Sequence, residues 1–451
     1  MIPSGPHCGT CPHRELGQRF IEPDGSGDSG VLLVGDSPWM EEMAAGRNFA
    51  GAAGFTYNRM LSLVGIERSN VMTSNTIWCK PLRLKWMDFP ERFRDAEAAI
   101  THCRPNLDGL IERAQPKVIV PMGNVALRRI CGVSGIESHA GYVMATPYGI
   151  PAVPTFHPAF IQRGQQKLNA SAVFALNRAR SIAQGTYQES KYDLLLDPPP
   201  DRVRDYIRSG QSIHGEHGGR IPTLVVDIET PESDRLDEEE IEQEGASWTI
   251  VRAGFSVRRG SAVTFPWQPP YIGLLQEALD LSEEVIEHAD NNFDSRRLRH
   301  AGLRLPARIV SSMWAWHFLE SDLRKGLGAV APFYYAGPPW KSQSAARPAF
   351  YNAMDNAVTM DVYCGTRDTL IAQSRWAAFE RHCIRMDEPL RVMGERGLLV
   401  DPVYQAAFMD RLDQEWEAAN ADLQQLVPDS IKKRKYWKRA PKDLTGVTEI
   451  V

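Results

Sequence analysis

The first candidate for chemistry in this sequence is a pair of acidic residues at the end of a short apolar stretch. Residues Thr223–Thr230 are rich in aliphatic, β-branched side chains, which favours a buried strand. Asp227 and Glu229 are two positions apart, so on a strand their side chains point to the same side. Two such carboxylates repel each other and lose hydration, which is costly unless a cation lies between them. The pair therefore indicates a cation site. The alternative, simpler interpretation is that both acids lie at a solvated strand end.

Two later segments carry further acidic residues. His288–Asp294 ends in an acid that follows an aromatic residue. Tyr351 and Asp355 are four residues apart at the start of a helical pattern, so they share one helix face. Three acidic sites in this order resemble the DEDD-type 3′–5′ exonucleases, in the subgroup that has a tyrosine before the last aspartate. The resemblance covers about residues 190–378 and implies an RNase H-like mixed sheet.

The resemblance implies a two-metal mechanism. Two Mg²⁺ or Mn²⁺ ions about 4 Å apart would help to ionise water and stabilise the leaving 3′-oxygen, while Tyr351 would orient the attacking water. The family usually has asparagine four residues before its middle aspartate. Here that position is Asp290, and a one-residue shift makes Asn291 the expected contact with the DNA end. The four expected metal ligands are Asp227, Glu229, Asp294 and Asp355.

The length and composition of the chain indicate how many domains it has and which class of protein it belongs to. Its 451 residues predict two or three domains, and 43% hydrophobic with 24% charged residues is typical of a globular protein. Apolar runs are too short to span a membrane and the N-terminus lacks a signal-peptide core, so we expect no membrane contact. We expect a cytoplasmic location, in a bacterium or a phage-infected host. Because the net charge is −5, any DNA contact would depend on local basic patches.

The cysteines suggest metal or redox chemistry at the N-terminus. An odd count of seven argues against a disulfide framework. Cys8 and Cys11 form a close pair that could hold zinc, act in redox chemistry or ligate a cluster. A zinc ribbon would need a second close pair, which the sequence lacks. A thioredoxin-type pair would follow a strand and open a helix, and this one does neither.

The first part of the chain alternates short apolar runs with helical patterns. Val31–Val34, Lys117–Gly123 and Ala152–Phe156 are typical of buried strands, and Arg92–Ala99 and Leu107–Ala114 are typical of helices. This alternation predicts a largely parallel sheet that is covered on both faces. Ligands bind at the carboxyl ends of such strands. The polar residues at those ends are Asp36, Ser37, Asn75, Gly123, Asn124 and His157.

Motifs in residues 1–186 follow one another in a recognisable order. They are Cys8–Cys11, Gly35–Pro38, Gly46–Gly51, Asn75–Cys79, Cys103, Val118–Gly123 and His157–Ala159. Together they resemble an iron–sulfur uracil-DNA glycosylase of family 4 or a close relative. The resemblance implies that Cys8, Cys11, Cys79 and Cys103 ligate a [4Fe–4S] cluster. Cys131, Cys364 and Cys383 would then be ordinary buried thiols.

The same resemblance implies cleavage of the bond between uracil and deoxyribose after the base is flipped out of the DNA stack. Phe49 would stack on uracil, and Asn75 would read its polar edge with a paired donor and acceptor that reject cytosine. His157 would stabilise negative charge on the departing uracil. Asp36, or a water that it holds, would stabilise the cationic sugar or position the attacking water.

The sequence departs from the family at the pocket. Family 4 usually has Glu-Gly-Pro-Gly where this chain has Asp36–Trp39, so a bulky side chain replaces glycine. We hypothesise that Trp39 excludes the methyl group of thymine; the alternative is that it fills the pocket and abolishes catalysis. The loop Lys80–Trp86 combines basic and aromatic residues, which would contact DNA or form a solvated insertion.

The remaining segments define the boundaries. Residues 187–221 contain clusters of proline and glycine, which break regular secondary structure. We therefore place a domain junction near residue 188. An acidic run after Pro231 is expected to be a mobile loop. The aromatic residues of the loop 329–350 would stack on a frayed DNA end or pack the loop onto its own domain.

The C-terminal part differs from both predicted sheet domains. Met386–Asp401 resembles the segment that joins the exonuclease to the polymerase in family A DNA polymerases, and a helix should follow to about Leu426. The basic stretch Lys432–Arg439 would contact DNA phosphates or form a tail. The predicted α/β architecture is therefore a three-layer glycosylase-like domain, an exonuclease-like domain and a helical segment, over residues 1–188, 189–378 and 379–451.

The leading interpretation is a DNA repair and replication protein that combines uracil excision with proofreading-type hydrolysis of DNA ends. The chain would be either a truncated polymerase front end or the partner of a separately encoded DNA polymerase. The second interpretation is a replisome accessory module in which the glycosylase fold only binds DNA and the cluster is structural. The third is a nuclease of RNA ends, because the same fold also processes RNA.

Overall fold

A computed structural model describes most of the chain, over residues 8–11, 20–80, 93–213, 219–231, 248–289, 293–397 and 399–427. Asn291, the acidic run after Pro231, the loop beyond Lys80 and the basic stretch Lys432–Arg439 lie outside these residues. The described residues up to Met386 form one compact unit, and those from Asp387 form a second. No helix in these ranges is both long and apolar enough to cross a lipid bilayer.

A three-stranded parallel sheet forms the centre of the N-terminal part. Its strands are β1 (Val31–Gly35), β2 (Met72–Asn75) and β3 (Val118–Pro121), in the order β2-β1-β3. The predicted third run, residues 152–156, adds only isolated bridges to β3. Pro154 supplies no backbone N–H, which explains why the pairing does not continue as a regular strand.

Helices cover both faces of this sheet, as the parallel topology requires. They are α1 (Met40–Ala45), α2 (Gly51–Leu63), α3 (Phe93–Ala114), α4 (Asn124–Cys131), α5 (Ile136–His139), α6 (Pro158–Gln162) and α7 (Asn169–Ala183). Leu33 packs with residues of α2 and α7, and its neighbour Leu32 packs with residues of α3 and α4. Strand residues thus alternate between two cores, which makes the predicted three layers.

Helix α3 differs from the sequence-based expectation of two separate helices. It runs unbroken for 22 residues with Pro105 inside it. Ile100, Leu107 and Ile111 bury one side of the helix against the sheet. This burial offsets the hydrogen bond that proline removes from the helix.

A mixed six-stranded sheet forms the centre of the following part. Its strands are β4 (Asp193–Leu196), β5 (Ile221–Glu229), β6 (Arg252–Ser256), β7 (Ser261–Pro266), β8 (Ser282–Glu287) and β9 (Ile309–Ser311). The order is β4-β7-β6-β5-β8-β9, with β6 antiparallel to both neighbours and the other pairs parallel. Strands β6 and β7 form a hairpin around Arg258–Gly260.

Seven helices of the described residues surround this sheet. They are α8 (Pro200–Ile213), α9 (Tyr271–Leu281), α10 (Phe293–His300), α11 (Ser312–Leu319), α12 (Leu327–Val330), α13 (Pro348–Ala372) and α14 (Trp376–Phe379). Helix α13 is 25 residues long and lies against the sheet through the small residues Ala353 and Ala357, which pack on Ala262 of β7. These small side chains let the helix approach the strands closely.

The two sheets of the first unit are joined by the loop that contains residues 329–340. Arg178 of α7 donates hydrogen bonds to the carbonyls of Pro332 at 2.6 Å and Tyr335 at 3.0 Å. The hydroxyl of Tyr142 donates to the carbonyl of Gly328 at 2.7 Å, and its ring lies edge-on to Trp340. The aromatic residues of this loop therefore pack against the N-terminal part of the same unit.

The remaining helices are α15 (Arg385–Arg396), which spans the division between the units, and α16 (Pro402–Leu426) in the second unit. The carboxylate of Asp401 begins α16, because it accepts hydrogen bonds from the backbone N–H groups of Val403 and Tyr404. Helix α16 ends at Leu426, where the sequence predicted its end. Its described side chains include no buried residue, and Trp416 is 55% exposed.

Candidate active sites

The first candidate site lies at the carboxyl ends of the parallel strands. Asp36 follows β1, Asn75 ends β2, and His157 caps the N-terminus of α6. Gly123 follows β3 with a φ of 92° and lies beside both Asp36 and His157, so that a Cβ there would crowd the Cβ of His157 at 3.3 Å and touch the carboxylate of Asp36. Glycine is therefore needed at this position for its conformation and for space. The strand ends bring together the residues that the sequence predicted there.

Phe49 is held beside these residues by contacts on both sides of its backbone. Its N–H donates to Glu42 at 2.8 Å, and its carbonyl accepts from Arg68 at 3.0 Å. Its backbone has a φ of 48°, an uncommon value for a residue with a side chain. Its ring stacks on Tyr57 at 5.0 Å and lies 5.7 Å from the ring of His157. Phe49 is therefore fixed in place before any ligand arrives.

Sequence reasoning did not identify Glu42 or Arg68. A signal for Glu42 exists, because it stands three residues after Trp39, as the acid of a capping box does. Its carboxylate accepts from the backbone N–H of Trp39 at 2.5 Å. Trp39 itself is 52% exposed, and the ammonium group of Lys80 lies 4.9 Å from its ring centre.

Burial shifts the two ionisable groups of this pocket in opposite directions. It raises the pKa of Asp36 to about 7, against the opposing hydrogen bond from the backbone of Ala126. Asp36 Oδ1 is buried and finds no hydrogen-bond partner in the described part of the chain. Burial, together with the charge of Arg163, lowers the pKa of His157 to about 4. The pocket therefore combines an acid that ionises near neutrality with an uncharged histidine.

The tautomer of His157 follows from a backbone contact. Its Nδ1 accepts a hydrogen bond from the N–H of Ala159 at 3.2 Å. The proton of the neutral ring is then on Nε2, which becomes a hydrogen-bond donor.

The four cysteines predicted to ligate iron lie near one another. Burial, with smaller contributions from the three other thiols of the set, raises the pKa of Cys79 to about 12. The Sγ of Cys103 accepts from the backbone N–H of Trp78 at 3.4 Å and from Asn106 Nδ2 at 3.6 Å. These donors would stabilise a thiolate. The set consists of Cys8, Cys11, Cys79 and Cys103.

The second candidate site is a group of carboxylates around the end of β5. Asp227 and Glu229 come from this strand, and Asp355 comes from α13. One ligand oxygen from each of these three residues lies within 4.8 Å of the others. Asp294, the fourth expected ligand, is not part of this group. It lies in the first turn of α10 and accepts from the backbone N–H of Ile228 at 3.1 Å.

Other polar residues fill the space around this group, and sequence reasoning missed them. Lys341 Nζ lies 2.6 Å from Asp355 Oδ2 and 3.1 Å from the hydroxyl of Tyr351. Trp340 Nε1 donates to Asp355 Oδ1 at 2.7 Å. Asn352 Nδ2 donates to Asp227 Oδ2 at 2.6 Å. Only Asn352 had a signal, because it is three residues before an expected ligand on the same helix.

The electrostatics of the second site reflect crowded negative charge. Burial, followed by the charges of Asp355 and Asp294, raises the pKa of Asp227 well above its usual value. Burial raises the pKa values of Glu229 and Asp294 to about 7. It also raises the pKa of Asp355, although Lys341 opposes this shift. Such a group gains stability from protons or from cations.

Comparison with known proteins bears on the first site. The sequence model of one family, described as the uracil DNA glycosylase superfamily, matches residues 22–179. A type-4 uracil-DNA glycosylase from Thermotoga maritima is 29% identical over 180 residues, which cover 39% of this chain and 88% of the relative. The enzyme of the same description from Sulfurisphaera tokodaii is 29% identical over 161 residues, 34% of this chain and 70% of the relative. Residues 22–179 therefore form a domain of the uracil DNA glycosylase superfamily, with type-4 relatives.

Proposed function

We propose that the N-terminal domain hydrolyses the bond between uracil and deoxyribose in DNA. The observation that carries this proposal is the pairing of a buried acid, Asp36, with a neutral histidine, His157, both beside Gly123. Phe49 lies beside them, with its ring 5.7 Å from that of His157 and only 1% exposed. The resemblance to the glycosylases makes it the residue on which a flipped base would stack. The names of the relatives agree with this chemistry.

In the reaction, the bond between C1′ of the sugar and N1 of uracil breaks, and its electron pair leaves with the base. The Nε2–H of His157 donates a hydrogen bond to the uracil oxygen on which negative charge develops. The imidazole ring is already neutral, so it does not have to lose a proton first. Asp36, as a carboxylate, stabilises the cationic sugar and accepts the proton of the water that attacks C1′. Phe49 keeps the base in the orientation in which it leaves.

We further propose that the four cysteines hold a [4Fe–4S] cluster. The donor set fits, because thiolates are the ligands of such clusters and Cys103 already accepts two N–H hydrogen bonds at its sulfur. When bound, the cluster would link the N-terminal Cys8–Cys11 segment to α3. Anaerobic purification should yield about four irons per chain, and replacing Cys103 with serine should lower that count.

The test of the glycosylase proposal uses single-stranded DNA that contains one uracil. We expect alkali-dependent strand cleavage at the uracil, with EDTA present throughout to silence any metal-dependent nuclease. DNA with thymine at the same position is the control, and its cleavage by Trp39→Gly alone would support the role of Trp39 in rejecting the methyl group. Binding of the DNA without cleavage would support the alternative of an accessory module.

We also propose a second activity, the metal-dependent 3′–5′ hydrolysis of DNA ends. The observation that favours it is the meeting of three carboxylates within 4.8 Å. The fit to Mg²⁺ or Mn²⁺ is good, because all these ligand atoms are oxygens and the acids are partly desolvated. Asp227, Glu229, Asp294 and Asp355 would hold the ions, which supply ionisation of water and stabilisation of the leaving oxygen. The hydroxyl of Tyr351 would orient that water.

The nuclease proposal is tested with 5′-labelled single-stranded DNA and RNA of the same sequence. We expect stepwise shortening of DNA from its 3′ end in Mn²⁺ or Mg²⁺, and none in EDTA. Faster shortening of the RNA would make RNA ends the substrate. Intact ends in every metal would remove the nuclease from the proposed function and leave the glycosylase untouched.

A further inference from the structure

Asn48 contacts Asn75, the residue expected to read the base in the first pocket, and is held in one orientation. Its side chain is 1% exposed, and Nδ2 donates to the backbone carbonyls of Glu22 at 2.9 Å and Thr73 at 3.4 Å. Rotation of the amide by half a turn would bring its oxygen against these two carbonyl oxygens. The repulsion would be unrelieved, because the site is buried. The oxygen of Asn48 must therefore point the other way.

That oxygen faces Asn75. Asn75 Nδ2 donates to Asn48 Oδ1 at 2.7 Å, and Asn75 is 2% exposed. A half-turn of the Asn75 amide would bring two carbonyl oxygens together at the same distance. The orientation of Asn75 is thus fixed by Asn48, whose own orientation is fixed by the backbone. Asn75 is left with Oδ1 and one N–H, and no partner for Oδ1 is found in the described part of the chain.

This orientation matters because uracil and cytosine differ at the edge that an asparagine reads. Uracil offers an N–H donor at N3 and an acceptor at O4, whereas cytosine offers an acceptor at N3 and an amino donor at C4. An amide in one orientation matches the first pair, and the same amide turned by 180° matches the second. An asparagine that is free to turn cannot discriminate between the two bases by hydrogen bonding alone.

We infer that Asn48 is a specificity-determining residue, which locks the amide of Asn75 in the orientation that accepts uracil and rejects cytosine. The inference rests on the proposed glycosylase function and goes beyond it, because Asn48 does not touch the base. It acts as a positioning residue through Asn75. Its effect should therefore lie in the choice of base more than in the rate of uracil release.

The test compares Asn48→Leu, which is similar in size but apolar, with wild type. Single-turnover excision is measured on single-stranded DNA with one uracil or one cytosine, and free uracil and free cytosine are compared as inhibitors. We expect the leucine variant to lower uracil excision about fivefold, the effect of one lost hydrogen bond. We expect the preference for uracil over cytosine, in excision or in inhibition, to fall at least about tenfold.

Asn48→Asp keeps an oxygen facing Asn75 Nδ2, but its second oxygen would face the carbonyls of Glu22 and Thr73. It should therefore retain more of the preference than leucine at acidic pH, where the protonated acid donates to those carbonyls in place of the amide. Asn177→Leu, at an exposed position of α7, is the matched control and should change neither value. If Asn48→Leu fails to give a cooperative thermal transition, Asn48→Ala replaces it. An unchanged preference in a folded variant that excises uracil overturns the inference alone. A wild-type chain that excises no uracil overturns both the inference and the glycosylase proposal.

Discussion

The two candidate sites both contain buried acids, but they differ in the positive charge that accompanies them. Asp36 in the first pocket lies near an uncharged histidine, and Arg163 has only a minor effect on its pKa. In the second site the ammonium group of Lys341 lies 2.6 Å from Asp355. One site therefore has a single acid without a paired cation, and the other has several acids with a lysine among them.

The free-energy cost of burying a carboxylate charge is offset in different ways for a single acid and for a cluster of acids. A single buried carboxyl group can take up a proton near neutral pH, so its charge becomes sensitive to pH. Several clustered carboxylates repel one another, so the group gains stability from protons or from a cation that neutralises the acids together. The first arrangement suits a reaction that uses one ionised group, and the second suits metal binding.

The largest expected effect comes from removing a ligand of the second site. Asp227→Asn should lower the hydrolysis of DNA ends about a thousandfold, because metal ions contribute several kcal/mol to stabilising the transition state. Uracil excision should not change, and both rates are measured on the same preparation. Asp368→Asn, at an exposed position of the same unit, is the control. Equal loss of both activities would contradict the assignment of two independent sites.

The next effect tests the uncharged histidine of the first site. His157→Leu should lower uracil excision about 100- to 1000-fold, as expected when a donor to a developing negative charge is lost. Single-turnover kinetics with excess protein report this step. His139→Leu, at a half-buried position of α5, is the matched control. If His157→Leu retained the wild-type rate, the charge on uracil would have to be stabilised by another group.

A tenfold effect is expected from pH. Because the pKa of Asp36 is raised to about 7 and its carboxylate is the active form, uracil excision should rise about tenfold between pH 6 and pH 8. His157 stays neutral over this range, since its pKa is lowered to about 4. Rates measured in EDTA should follow this curve in wild type. Asp36→Asn should be slower and independent of pH, and a retained slope in that variant would assign the titration to another group.

Much of the first fold was predictable, because its signals are local. Alternating apolar runs and helices predicted a parallel sheet, and the rule for strand ends pointed to Asp36, Asn75 and His157. Short-range patterns failed where packing decided the outcome. The sequence pattern indicated Arg92–Ala99 and Leu107–Ala114 as separate helical stretches, yet the buried side of α3 keeps the helix continuous through Pro105.

The residues that support the sites were harder to predict, since they act across long sequence separations. Asn48 contacts the backbone of Glu22 and the side chain of Asn75, which are far from it in the chain. Trp340 and Lys341 lie in a loop whose position depends on packing against Tyr142. A sequence pattern records none of these pairings, whereas Tyr351 and Asp355 share a helix and were paired from their spacing alone.

The smallest effect tests whether Lys341 takes the place of a metal ion in the second site. Although burial disfavours its charge, the carboxylate of Asp355 raises the pKa of Lys341, so the ammonium remains charged. A divalent ion that binds Asp355 must compete with it. Lys341→Met should therefore tighten Mn²⁺ binding about fivefold, equivalent to about 1 kcal/mol, because the ion pair is partly exposed to solvent.

Calorimetric titration of the full chain with Mn²⁺ measures this affinity without relying on activity. Lys341→Arg keeps a positive charge and should bind Mn²⁺ as wild type does. Weaker binding by Lys341→Met would mean that the lysine supports the metal site instead of competing for it. In that case Lys341 and Mn²⁺ would bind Asp355 at the same time. The two sites would then differ only in their number of acids, and the lysine would not stand in for a metal ion.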